Sequence, residues 1–404
     1  MQYSKQGRVF HFTWEEDKLE CFVGQIERHS GRTAAEVIWK TIPSNALIEQ
    51  SNLNLSSHRS RTDMAKVLSK KCPDVAIETL ETFLDQLCFV VMEQLRTGSS
   101  IEEIYTTDEV KPPEYLLYPL ILKGIPTVLY GDGGSGKSNI AMLVSTCIQL
   151  PWTDNPFGWK TTGEPVKTLY LDWESSKDIF AWRLKRLKTG MGLPEYSLHY
   201  RYCEHSLGDD LEQIQQIIMD NKIGFIVVDS LAVAFGGDLR EQQMAGDFFL
   251  NLRQLGVTSL LITHITKDET KKATPFGSVF FKNLARSVIE AKKAQEVGED
   301  TLSVGLFHRK ANETRLFKPI GFSINYNGSA TTFSLQDVKA IPEFATGLPL
   351  KVQIAEVLTH GSMTTAGIAE ELEANMDSIR AILNRNSKMF IKLGNEWGVR
   401  SNEV

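Results

Sequence analysis

The stretch PTVLYGDGGSGKSNIAMLVSTCIQL (126–150) decides the reading of this chain. An apolar run, PTVLY, is followed by eight residues of which four are glycine, and then by an amphipathic run. Glycine-rich turns between a strand and a helix let successive backbone N–H groups curl inward, forming a nest for phosphate oxygens. The helix that follows adds the positive end of its dipole. GDGGSGKS (131–138) fits the pattern G-x-x-x-x-G-K-[ST] through Gly131, Gly136, Lys137 and Ser138. The loop as a whole, Gly131, Asp132, Gly133, Gly134, Ser135, Gly136, Lys137 and Ser138 with Asn139 just beyond, is therefore the expected nucleotide cradle. Lys137 neutralises β/γ-phosphate charge in such loops, and a hydroxyl like that of Ser138 ligates Mg²⁺. ATP and Mg²⁺ are the expected cofactors.

Three further pieces belong with a phosphate loop. GFIVVD (224–229) is a short apolar strand ending in Asp229, the expected metal-holding acid. TLYLDWESS (168–176) places Asp172 and Glu174 just past another strand, expected to neighbour the strand of the phosphate loop. Strands of open parallel sheets deliver functional groups at their C-terminal ends. Glu174 is favoured as the base that orients and deprotonates water, because Asp172 suits a turn cap; an N-cap cluster without chemistry is the plainer alternative. LLITHITK (260–267) ends a further strand at His264, either a structural histidine or a sensor of the γ-phosphate.

Outward from this centre, 111–335 alternates short apolar strands with helical segments, the pattern of βαβ units and a mostly parallel sheet. SVGLFH (303–308) and FKPIGFSIN (317–325) read as an antiparallel extension. Residues 1–110 read as a small α+β domain: strands at 8–14 and 19–26, helices near 33–40 and 62–70, and a longer helix near 74–96 with Ile77, Leu80, Leu84, Leu87 and Val91 at helical spacing. Residues 336–348 read as a linker. Residues 349–404 read as three short helices, near 350–358, 364–372 and 376–387, then a hairpin turning at Gly394-Asn395. Thr364 or Thr365 and Asp377 mark helix starts.

Composition sets bounds on all this. The 404 residues carry a net charge of −6, so a nucleic-acid surface must be local. Five cysteines, at 21, 72, 88, 147 and 203, include no CxxC pair and no zinc spacing. The N-terminus has no apolar signal-peptide core, and the most apolar run, LCFVVM (87–92), is too short to span a bilayer. A cytoplasmic protein without a membrane partner is expected.

The ordered set GDGGSGKS, LYLDWESS, IVVDSLA, LLITHITK, PFGSVFFKNLARS (275–287) and HRKANETR (308–315) resembles the RecA-like ATPases, and within them the branch of the hexameric RepA-type replicative helicases of plasmids and phages. The resemblance covers about 111–335. It implies a RecA-like core, a homo-oligomeric ring (a hexamer) or filament with ATP at subunit interfaces, action on DNA in replication, and possible replication or recombination partners. By position it makes Lys137 and Ser138 the Walker A pair, Asp229 the Walker B acid, Glu174 the catalytic glutamate and His264 the sensor. Gly277, Ser278 and Arg286 match a Gly-Ser and downstream arginine, although Pro275-Phe276 stands where relatives often have arginine. Lys310 and Asn312 match a Lys-x-Asn whose cation reaches a neighbour's γ-phosphate, with Arg309 and Arg315 close by; a solvated basic hairpin is the alternative.

The C-terminal block resembles a winged helix-turn-helix built around TTAGIAEELEANMDSIRAIL. Such folds insert their last helix into the major groove. Arg380, Arg385, Lys388 and Lys392 lie on or after that helix and are the candidate DNA contacts, unless the domain binds protein instead. A DNA motor or loader, a recombination or annealing ATPase, and a KaiC-type regulatory ATPase are the functions compatible with the sequence.

Overall fold

The computed structural model describes residues 1–29, 31–98, 101–107, 109–110, 112–237, 241–265, 283–345 and 347–400. The N-terminal region is a five-stranded antiparallel meander, β1 (Gln2–Gln6), β2 (Val9–Trp14), β3 (Leu19–His29), β4 (Arg32–Thr41) and β5 (Leu47–Asn54), covered by α1 (His58–Lys71) and α2 (Ile77–Thr97). The stretch 33–40, expected to be helical, is strand β4. Thr33, Ala35, Val37 and Trp39 are buried while their neighbours are not, a period of two. Pairing on both sides, with β3 and β5, overrides the weak helical preference of Ala34-Ala35-Glu36.

Next come β6 (Tyr115–Tyr118), β7 (Ile121–Leu122), β8 (Thr127–Gly131), α3 (Lys137–Gln149), β9 (Lys160–Thr161), β10 (Thr168–Asp172), α4 (Lys177–Met191), β11 (His199–Tyr202), α5 (Leu211–Asn221), β12 (Phe225–Asp229), α6 (Leu231–Ala234), α7 (Gln242–Gln254) and β13 (Thr258–His264). They are followed by β14 (Ser287–Ala294), β15 (Thr301–Ala311), β16 (Ile320–Asn325) and β17 (Thr332–Gln336). The central sheet has the order β11-β10-β12-β13-β8-β14-β15-β16-β17. Its members from β11 to β14 run parallel, and β15, β16 and β17 extend it antiparallel. The fold is thus mixed α/β with a large, mostly parallel sheet.

Both faces of this sheet are buried, which is why its strands are continuous apolar runs. Leu129, Tyr170, Val227, Leu260 and Ile262 pack toward α3 and α4. Val128, Leu171, Ile226, Val228 and Leu261 alternate with them and pack toward α5, α6 and α7. Every residue of α3 from Ile140 to Ile148 is buried, so this helix is enclosed rather than amphipathic.

The sheet order corrects one expectation. β10 does not neighbour β8; β12 and β13 lie between them. The chain leaves β8 through α3 and skips those two positions, which later segments fill. β14, parallel to β8 on its other side, has no clear strand signature in the sequence, because SVIEAKKA loses its apolar character halfway.

The stretch read as a linker is packed. Val338, Ile341, Phe344 and Leu348 bury against Phe307 of β15. Beyond it, helices Leu350–Thr359, Thr365–Glu371 and Met376–Arg385 enclose a small core with Phe390 and Trp397. Strands Phe390–Leu393 and Glu396–Val399 form a hairpin whose second strand also pairs with Met363–Thr364. Thr364 caps the second of these helices. The third is capped by Asn375, whose side chain accepts from the N–H groups of Asp377 and Ser378; Asp377 instead sits in the first turn. Among the described residues, no helix is long and apolar enough to cross a membrane.

Candidate nucleotide site

The C-terminal ends of β8, β13, β12 and β10 form one rim. Register fixes this: His264 pairs with Gly131 across β13 and β8, and Asp172 pairs with Asp229 across β10 and β12. A cavity of about 270 Å³ opens there, lined by the loop residues Gly134 to Asn139 and by Glu174, Asp229 and His264. A larger cavity, about 1050 Å³, lies at the opposite ends of the strands near Lys123, Gly224 and Thr258, and holds none of these residues.

The loop's glycines have separate reasons. Gly134 and Gly136 have φ of 71° and 74°, the left-handed region. Gly131 is close-packed: a Cβ there would stand 2.3 Å from the Ala291 carbonyl oxygen of β14. The Lys137 ammonium donates to the carbonyls of Gly131 (2.9 Å) and Asp132 (2.7 Å). Burial pulls its pKa down, opposed by the charges of Asp229, Glu174 and Asp132. Lys293 of β14 donates to the Gly133 carbonyl at 2.7 Å. Asn139, next after Ser138, donates to the Tyr326 hydroxyl at 2.9 Å.

Asp229 is buried, and burial raises its pKa; hydrogen bonds from the Tyr170 and Ser138 hydroxyls oppose that rise. Two hard oxygen donors, the Asp229 carboxylate and the Ser138 hydroxyl, thus meet at the cavity. That set suits Mg²⁺, which accepts one or two protein oxygens and completes its shell with phosphate and water. Among the described residues no cluster of three His, Cys, Asp or Glu side chains could hold a metal by itself.

Asp172 and Glu174 divide their tasks. One Asp172 oxygen accepts the N–H groups of Glu174 (3.0 Å) and Ser175 (2.9 Å), and the other accepts the Tyr200 hydroxyl (3.3 Å). It builds the turn. The turn is pinned to the neighbouring strand by the Trp173 N–H donating to the Asp229 carbonyl at 2.7 Å. Glu174 is left facing the cavity, where its carboxylate accepts from the Ser230 hydroxyl and lies 3.8 Å from the His264 imidazole.

Not every candidate gathers here. The Lys310 ammonium bonds to the carbonyls of Asn283 (2.9 Å) and Ala285 (2.6 Å) of its own chain. Arg315 lines a separate cavity with Tyr118, Phe157 and Trp159. Neither lines the phosphate-loop cavity of its own chain. Arg309 pairs with Glu290 at 2.6 Å and donates to the Gly347 carbonyl. Arg286 pairs with Glu313. Gly277, Ser278, Pro275 and Phe276 lie outside the described residues. Arg380, Arg385, Lys388 and Lys392 are exposed, and Arg380 pairs with Asp377 at 3.1 Å. Residues missed in the sequence are Arg183 and Tyr326, which line the cavity, and Tyr170, Ser230 and Lys293, which hold its parts. Only Ser230, adjacent to Asp229, carried a signal.

A glycine-rich strand-to-helix loop, a buried acid on a parallel strand and a carboxylate facing both define the class: an α/β phosphate-loop nucleotide site. The profile of the AAA domain family matches residues 94–270. The chain is 28% identical over 212 residues to the DNA repair and recombination protein RadB of Methanococcus maripaludis, covering 50% of this chain and 90% of that one. It is also similar to the crystal structure of a KaiC-like protein of Pyrococcus horikoshii, at 17% identity and a TM-score of 0.38 over 56% of this chain and 96% of the other. The family match and the RadB similarity support a RecA-like P-loop ATPase.

Proposed function

We propose that this chain hydrolyses Mg-ATP at the loop Gly131–Ser138, assembles with copies of itself into a ring, and couples hydrolysis to work on DNA as a motor or loader in replication of a phage, plasmid or other mobile element. The observation that carries the reading is the placement of Glu174 and His264 in the cavity that Lys137, Ser138 and Asp229 also line. In this reading Glu174 takes the proton of the attacking water as its oxygen bonds to the γ-phosphorus and the bond to the bridging oxygen breaks. Lys137 bears on the β/γ-phosphate oxygens, and Asp229 with Ser138 holds the cation that neutralises developing charge. His264 senses the γ-phosphate or the water. Lys310 or Arg315, which do not line the cavity of their own loop, would act in a neighbour's site. The C-terminal helices and hairpin would be a winged helix that docks on duplex DNA through Arg380, Arg385, Lys388 and Lys392.

A second reading has support of its own. The similarity to RadB favours a recombination or annealing ATPase on single strands. ATPase rates with and without single-stranded DNA, paired with unwinding and strand-pairing assays, separate the two. Unwinding that requires ATP supports the motor; pairing without unwinding supports the recombination reading. Lys137→Ala should abolish turnover in either case, and normal turnover in that variant would contradict both.

A further inference from the structure

The Walker-type acid of this chain is held by a tyrosine that no motif marks. Tyr170 lies on β10, two residues before Asp172, and is 2% exposed. Its hydroxyl donates to Asp229 Oδ2 at 2.7 Å. The ring is fixed by Phe180 of α4, with centroids 4.9 Å apart, and Phe180 in turn packs on Tyr200. Asp229 ends the next strand and is itself buried.

A buried carboxylate has a broad terminal torsion and two equivalent oxygens. One fixed donor on one oxygen removes that freedom and directs the other oxygen. Groups that orient a ligand from behind typically set metal affinity as strongly as some ligands do. We infer that Tyr170 is a positioning residue for the cation site: its hydroxyl fixes the Asp229 carboxylate so that its second oxygen and the Ser138 hydroxyl face the metal together. This rests on the reading of Asp229 as a metal ligand, and it adds a residue on a different strand. Tyr200 makes the comparable hydroxyl contact to Asp172 and serves as an internal control, since Asp172 shapes a turn and faces no metal.

The test reads binding, not turnover. Anisotropy of a fluorescent, non-hydrolysable ATP analogue is followed in EDTA and across an Mg²⁺ titration for the full chain and for Tyr170→Phe, Tyr200→Phe and Asp229→Ala. Tyr170→Phe removes a single oxygen. Affinity in EDTA should equal wild type, while the Mg²⁺ midpoint should rise by about tenfold or more. Tyr200→Phe should leave the midpoint unchanged. If Asp229→Ala shifts the midpoint and Tyr170→Phe does not, the positioning role is refuted while the metal assignment stands. If Tyr170→Phe weakens binding equally in EDTA and in Mg²⁺, the residue is merely structural and the inference also fails. If Asp229→Ala leaves the midpoint unchanged, the metal assignment falls and takes the inference with it.

Discussion

Replacing Glu174 with glutamine separates binding from chemistry at this site. Glutamine keeps the carbonyl oxygen that accepts from Ser230, so the side chain retains its anchor. It loses its charge toward His264, at 3.8 Å and with both side chains nearly half exposed, an interaction of about 1 kcal/mol at most. It also loses its charge toward Lys137 and Asp229, where the lost attraction and the relieved repulsion oppose each other. Stability and nucleotide affinity should therefore hardly change. A side-chain amide cannot take a proton, and a general base is typically worth about 10²-fold or more, which is roughly 2.7 kcal/mol of barrier. Asp172→Asn is the matched comparison. Its Oδ1 still accepts from the N–H groups of Glu174 and Ser175, and only the 3.3 Å bond from Tyr200 is altered. That should cost about 1 kcal/mol of stability and less than tenfold in rate. Single-turnover hydrolysis measured beside equilibrium nucleotide binding decides between them. If Asp172→Asn stops hydrolysis with binding intact and Glu174→Gln does not, the division of labour between the two acids is wrong.

Three further outcomes follow from particular contacts. Gly131→Ala would set a Cβ 2.3 Å from the Ala291 carbonyl and force β8 from β14, costing about 1–3 kcal/mol in thermal or denaturant melts, whereas Gly133→Ala, with nothing within 4 Å, should leave stability unchanged. His308 has its pKa lowered to about 4 by burial, between Ser287 and the Phe317 N–H. Below about pH 6.5 the unfolded chain then binds a proton that the folded chain refuses, so stability should fall as pH drops toward 4, and His308→Gln should flatten that slope in melts at several pH values. Arg380→Glu with Arg385→Glu should abolish duplex binding at low salt and spare basal ATPase; unchanged duplex affinity would assign the C-terminal block to a protein partner.

What the sequence disclosed, and what it did not, has a physical pattern. The phosphate loop and the strands ending in Asp172, Asp229 and His264 were legible because phosphate binding and double-sided burial each leave a local signature. Strand order was not, since β12 and β13 enter between β8 and β10 only from later segments. β4 reads as a helix because its period-two face through Ala35 and Val37 competes with good helix formers over a short window. The packed stretch after β17 reads as a linker because Pro342 and Gly347 mask Ile341, Phe344 and Leu348. Tyr170 and Lys293 were invisible for a different reason. Each acts through one atom on a group that is distant in sequence; Tyr170 fits the apolar pattern of its strand, and Lys293 lies in the charged half of β14 that hides the strand itself.

The claim that hydrolysis is completed by a neighbouring subunit is tested most directly by mixing two inactive proteins. Lys310→Ala keeps its own loop and Glu174 but has no cation to lend; Glu174→Gln lacks the base but keeps Lys310. Each alone should be nearly inactive. After subunit exchange, confirmed by fluorescence transfer between labelled protomers, some interfaces would join an intact Glu174 to an intact Lys310. ATPase activity should then reappear in proportion to the frequency of such interfaces as the ratio is varied. A mixture that exchanges subunits yet stays as inactive as its components would contradict catalysis in trans through Lys310.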